Sequence, residues 1–197
     1  MPNWDRINSW TNTLYALIQA LHISNRIGFG NLTLIHDNIH EAKDWISPSC
    51  SYSSILVDHP FGDRKIKFRR DPNLHFKQIS SSVVRMLVQD IVVIFDQMMT
   101  DILVERGLNP GKHPQDKVRQ LIEYLPDKHL WSAQGSLELI AVRNILTHGD
   151  GCWNDRAIDV VKAFVIPPPE IGEQLVLGFP MLFRYRKAIR TFLNQVS

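Results

Sequence analysis

The chain has 197 residues, a formal net charge of +2 and ordinary shares of hydrophobic (44%) and charged (21%) residues, which excludes a disordered tail and suits one domain with an extension. So small a net charge demands no polyanionic partner, and any such case must rest on local clusters. Its two cysteines, Cys50 and Cys152, lie far apart with no C-x-x-C spacing, which argues against a disulfide scaffold or a cysteine zinc site and points to a reducing compartment.

The N-terminal stretch "MPNWDRINSW" carries an acid where an export signal needs an apolar run. No later segment approaches the roughly 20 apolar residues of a membrane span. The expectation is a soluble, cytoplasmic protein without membrane association. Leu14, Leu17, Ile18 and Leu21 recur at helical spacing over residues 11–24, with Thr11 or Asn12 as the cap. Residues 37–46, "DNIHEAKDWI", suit a shorter helix. After that the texture changes. "SYSSILVDHP" and "RKIKFRR" flank "FGD" and predict a β-hairpin, with Ile66 and Phe68 alternating against Lys65, Lys67 and Arg69. "RDPNLHF" breaks the pattern at Pro72, and the boundary falls there: an α+β extension over 1–75 and a helical bundle over 76–197.

From Ser80 the sequence turns helical. Val84, Leu87, Val88, Ile91, Phe95, Met98 and Ile102 form a wide apolar stripe on one long helix, with Gly107 placed to end it. Shorter helices are expected over 115–125, 132–148 and 154–164, the last capped by Asn154 and unable to pass "IPPPE". "QLVLGF" has the texture of a short extended piece, and residues 181–196 make a basic closing helix. The fold class is therefore mainly α, an up-and-down bundle with an N-terminal α+β part.

The helix over 132–148 ends unusually. "ELIAVRNILTHGDG" is apolar until Arg143, Asn144 and His148, which stand just before Gly149. Arg and His at a helix C-terminus are already favoured by the macrodipole, at about 0.3 to 1 kcal/mol each. An Arg followed shortly by His also recurs at Arg70–His75 and Arg106–His113, but Pro or Gly interrupts both. In "RNILTH" one rigid element carries all three side chains: Asn144 and His148 are four apart on one face, and the long Arg143 side chain can swing toward it. A guanidinium holds phosphate, an imidazole moves a proton and an amide orients either. Together they suit phosphodiester cleavage without a metal.

A helical bundle with a long early helix, followed by a helix ending in R-N-x-x-x-H before glycine, resembles the HEPN superfamily of ribonucleases and ribonuclease-derived domains. The resemblance covers residues 76–197, and its specific part is "RNILTHGDG". It implies a homodimer that brings two motif helices into one cleft, and metal-independent endoribonuclease chemistry in which the RNA 2'-hydroxyl attacks the adjacent phosphate. It further implies that Arg143 stabilises the phosphorane, His148 transfers a proton and Asn144 positions one of them. No cofactor is implied, and the setting would be a bacterial toxin–antitoxin or phage-defence system with a partner protein. Some family members are inactive and bind a protein or nucleotide instead. Where some members carry a tyrosine that an antitoxin modifies, this chain has Asp150.

Other clusters rank below this one. His36 and His40 have metal-ligand spacing, but the sequence offers no obvious third ligand. Arg64, Lys65, Lys67, Arg69 and Arg70 form a basic run around Phe68, fitting either an RNA-tracking patch or a charged edge strand. Arg184, Arg186, Lys187 and Arg190 suit a solvated helix face. Asp96, in the long helix, is a candidate partner for Arg143.

Overall fold

The computed structural model describes residues 4–27, 72–148 and 151–197, with side chains over 4–23, 78–148 and 151–197. Among the described residues there are six α-helices and no strand: α1 Trp4–Ile27, α2 Pro72–Glu105, α3 Pro114–Ile122, α4 Leu130–His148, α5 Asp155–Val161 and α6 Phe179–Val196. A 3-10 turn, Asp127–His129, leads into α4. The expected hairpin, the helix over 37–46 and the basic run Arg64–Arg70 lie outside the described residues.

The chain divides into two compact units, Met1–Ile18 with Ser81–Ser197, and Gln19–Ser80. The second unit holds the last turns of α1 and the first turns of α2. The first unit is the helical bundle. It takes in the leading half of α1, which a boundary at residue 75 assigns to the extension, because Ile7, Trp10 and Leu14 are buried in the bundle core. Helix α1 also starts at Trp4, ahead of the expected caps. Thr11 lies inside the helix, where its hydroxyl donates to the Ile7 carbonyl at 2.6 Å.

Helix α2 begins at Pro72 rather than Ser80. A proline in the first helical position loses no hydrogen bond, since that N–H has no partner in the helix, and its fixed φ suits the first turn. All seven apolar residues of the expected stripe are buried, and Phe95 meets Phe192 of α6 edge-on with centroids 5.9 Å apart. The helix ends at Gly107, with φ +71°. The Gly107 amide donates to the Val104 carbonyl and the Leu108 amide to the Leu103 carbonyl, each at 2.9 Å, the paired bonds of a left-handed helix stop.

Helix α4 runs through the middle of the bundle, packed against α3, α5 and α6. It therefore buries most of its circumference: Ser132, Ala133, Ser136, Leu139, Ile140, Ala141, Val142 and Ile145. The Ser136 hydroxyl donates to the Ser132 carbonyl at 2.8 Å, satisfying a polar group that is costly to bury alone. At Gly135 a Cβ would stand 2.8 Å from the Ala188 Cβ. Only glycine lets α4 and α6 approach this closely.

Of the basic residues of α6, Arg184 and Lys187 are exposed, as a solvated face expects, while Arg186 and Arg190 are half-buried. The Arg186 Nε donates to Thr11 Oγ1 at 2.7 Å, and the Arg190 guanidinium lies 5.4 Å from the Trp4 ring centroid. Lys187 sits 5.7 Å from the Trp131 ring of α4. These contacts fasten α6 to α1 and α4. Long cationic side chains can lay their stems on apolar surface while keeping their charge wet, which makes them usable as bundle fasteners.

Candidate active site

The three polar residues at the end of α4 differ in setting because its last two residues leave the bundle. Arg143 and Asn144 are half-buried, while Thr147 and His148 are exposed. The Arg143 Nη1 donates to Asn144 Oδ1 at 3.1 Å. Its Nε is buried with no hydrogen-bond partner. Among the described residues the guanidinium is thus positioned by an amide, and no carboxylate neutralises it. At about 100° per residue, His148 stands about 140° around the helix from Arg143 but only about 40° from Asn144. Asn144 and His148 share a face as expected, and Arg143 reaches toward it through the Asn144 contact. The His148 imidazole has no hydrogen-bond partner among the described residues.

Gly149 and Asp150 lie outside the described residues. From Gly151 the chain pairs with residues 172–175: the Leu175 amide donates to the Gly151 carbonyl, and the Trp153 amide to the Glu173 carbonyl, each at 2.8 Å. The extended piece expected at "QLVLGF" reduces to one antiparallel bridge, Cys152 with Gln174. Beyond it Asn154 caps α5, its Oδ1 accepting from the Ala157 amide at 3.0 Å. Ala157 and Val161 then pack on Ala141 and Ile145 of α4. The motif end of α4 is held by this small satellite core.

Asp96 does not serve Arg143. Its carboxylate accepts from the Lys117 ammonium of α3 at 2.7 Å, and the same ammonium donates to Thr100 Oγ1 at 2.8 Å. Lys117 is only 6% exposed, so a cation buried by α3 needs a counter-charge and takes the acid on α2 that faces it. The basic run Arg64, Lys65, Lys67, Arg69 and Arg70 lies outside the described residues, as does the His36–His40 pair. Among the described residues no three His, Cys, Asp or Glu side chains cluster at metal-ligand distances. Also among them, no helix is long and apolar enough to cross a membrane.

One constellation had no signal that local spacing could supply. The Tyr185 hydroxyl of α6 donates to Glu138 Oε1 of α4 at 2.8 Å, across 47 residues of sequence. Burial pushes the Tyr185 hydroxyl well above its ordinary value, and the Glu138 charge and hydrogen bond add to the rise. Both residues line a cavity of about 350 Å³ whose other walls include Val142, Trp153, Pro168 and Leu175. The lone acid in "ELIAV" was visible in the sequence; its partner was not. Comparison with models of known protein families, with curated proteins and with solved structures gives no significant match in any of the three.

Proposed function

We propose that this chain is a HEPN-type endoribonuclease that cleaves RNA without a metal, by attack of the 2'-hydroxyl on the adjacent phosphate. The observation that carries the reading is the state of Arg143: its guanidinium is oriented by Asn144, has a buried Nε without a hydrogen-bond partner and, among the described residues, has no carboxylate partner. A cation held in place but not neutralised suits a phosphorane, whose charge grows in the transition state. His148, exposed at the helix end, takes or delivers the proton. Asn144 positions Arg143.

Because Arg143 and His148 start about 140° apart around one helix, the reading calls for a homodimer in which two motif helices line one cleft. The biological setting is a bacterial toxin–antitoxin or phage-defence system with a restraining partner protein. The second reading is a catalytically silent HEPN module that binds a protein or nucleotide. It is favoured by the His148 imidazole, which among the described residues has no hydrogen-bonded group of the kind that usually orients a proton-transfer histidine.

Incubation of the purified chain with RNA in the presence of a chelator separates the readings. The enzyme reading expects cleavage to persist and the products to end in cyclic phosphate. RNA that stays intact at high protein concentration favours the silent module, and cleavage abolished by chelation points to a metal hydrolase.

A further inference from the structure

The cavity beside α4 has a chemistry of its own, separate from Arg143 and His148. Its charged lining is acidic, Glu138 and Glu173, and among the described residues no Lys, Arg or His contributes to it. Glu173 is exposed and its Oε2 accepts from the Glu170 amide at 3.0 Å. Glu138 is half-buried, and its partner is the neutral Tyr185 hydroxyl. Among the described residues no cation pairs with it. A carboxylate can accept several hydrogen bonds, and the half-buried Glu138 has one donor among the described residues, which leaves capacity for a further partner.

The walls around that carboxylate are apolar and stiff. Val142, Trp153, Leu175 and Met181 supply apolar surface, and the Pro167–Pro169 run closes one side with a backbone of restricted freedom. The volume of about 350 Å³ falls at the lower end of small-molecule sites, which run from roughly 300 to 1,000 Å³. A half-open, largely apolar pocket whose charged groups are acids is complementary to a molecule with one positive charge and an apolar body. A phosphate or nucleotide is repelled by the same acids.

We propose that this cavity is a binding site for a small organic ammonium, with the protonated amine on Glu138 and the apolar body against Trp153, Leu175 and Met181. The site does not depend on the ribonuclease reading, since it shares none of that reading's residues. A lysine side chain flanked by apolar residues carries the same chemistry as a free amine, and both enter the test.

The experiment uses the full chain with 13C-methyl-labelled methionine, so that the Met181 methyl reports from inside the cavity while the buried Met98 and Met99 methyls report the fold. Phenethylammonium should move the Met181 resonance saturably, whereas phenethyl alcohol and 3-phenylpropionate should bind more weakly. Loss of the charged partner in Glu138→Gln should weaken phenethylammonium by about tenfold or more and leave the alcohol unchanged, with Met98 and Met99 unmoved. Tyr185→Phe, which frees the carboxylate, should bind the ammonium at least as well as the unaltered chain. A blocked Leu-Lys-Leu tripeptide that outbinds phenethylammonium would make a protein segment the source, and the reverse order a free amine. A Met181 methyl that never moves at millimolar probe, or equal affinity for ammonium and alcohol, overturns the proposal even if Glu138→Gln fails to fold.

Discussion

The Arg143 guanidinium is tethered to its sequence neighbour Asn144, Nη1 to Oδ1 at 3.1 Å, and among the described residues to no carboxylate. Replacing the amide by an acid tests what this tether is for. Asn144→Asp should turn it into an ion pair and stabilise the fold slightly, by about 0.5 kcal/mol, the modest worth of a half-exposed pair. RNA cleavage should fall by orders of magnitude, because the cation is then neutralised before phosphate arrives. Cleavage that survives Asn144→Asp would mean that Arg143 does not meet the phosphate.

His148 separates chemistry from capping. A side chain exposed at a helix terminus contributes at most about 1 kcal/mol through the macrodipole. His148→Ala should leave the melting temperature within a few degrees and reduce kcat by orders of magnitude. Thermal melts paired with single-turnover cleavage decide it, and unchanged kcat would remove His148 from the site.

The proposed dimer makes a sharper demand. If two motif helices share one cleft, a tethered pair of one unaltered subunit and one Arg143→Ala, His148→Ala subunit should cleave far below half the rate of an unaltered tethered pair, since every such cleft would lack residues from one side. A rate near half would show that each subunit works alone.

Asp96 and Lys117 form a structural pair. Asp96→Ala strands an ammonium that is only 6% exposed, at a cost of about 3 kcal/mol, whereas the double change to Ala and Met should recover most of it. Cleavage per folded molecule should not change in either variant. A specific loss of kcat in Asp96→Asn with the fold intact would return Asp96 to the active site.

Tyr185 predicts the alkaline behaviour of the fold. Its hydroxyl is raised above the ordinary value of 10.0, first by burial and then by Glu138, so the folded state keeps a proton that the unfolded chain gives up. The sign follows from linkage: this contribution is complete below about pH 10 and declines as pH rises above it. Denaturant melts across that range should show stability falling steeply, and Tyr185→Phe should flatten the slope. Equal slopes in the two proteins would show that Tyr185 ionises as freely in the fold as out of it.

Local pattern determined much of this protein by itself. The stripe from Val84 to Ile102, the stop at Gly107, the Asn154 cap and the placement of Arg143, Asn144 and His148 on one helix end depend on residues within a few turns of one another, where helical geometry fixes who meets whom. The helix starts were less legible. Pro72 reads as a breaker in isolation and opens α2 in the fold, because a proline's effect depends on which turn it occupies. Tertiary packing alone decided the pairings. Asp96 went to Lys117 because α3 buries an ammonium against α2, and the α6 cations went to Thr11, Trp4 and Trp131 because α1 and α4 flank them. Glu138 met Tyr185 because Gly135 lets α4 and α6 approach closely. Such long-range choices follow from which helices lie side by side, and no short window of sequence contains that.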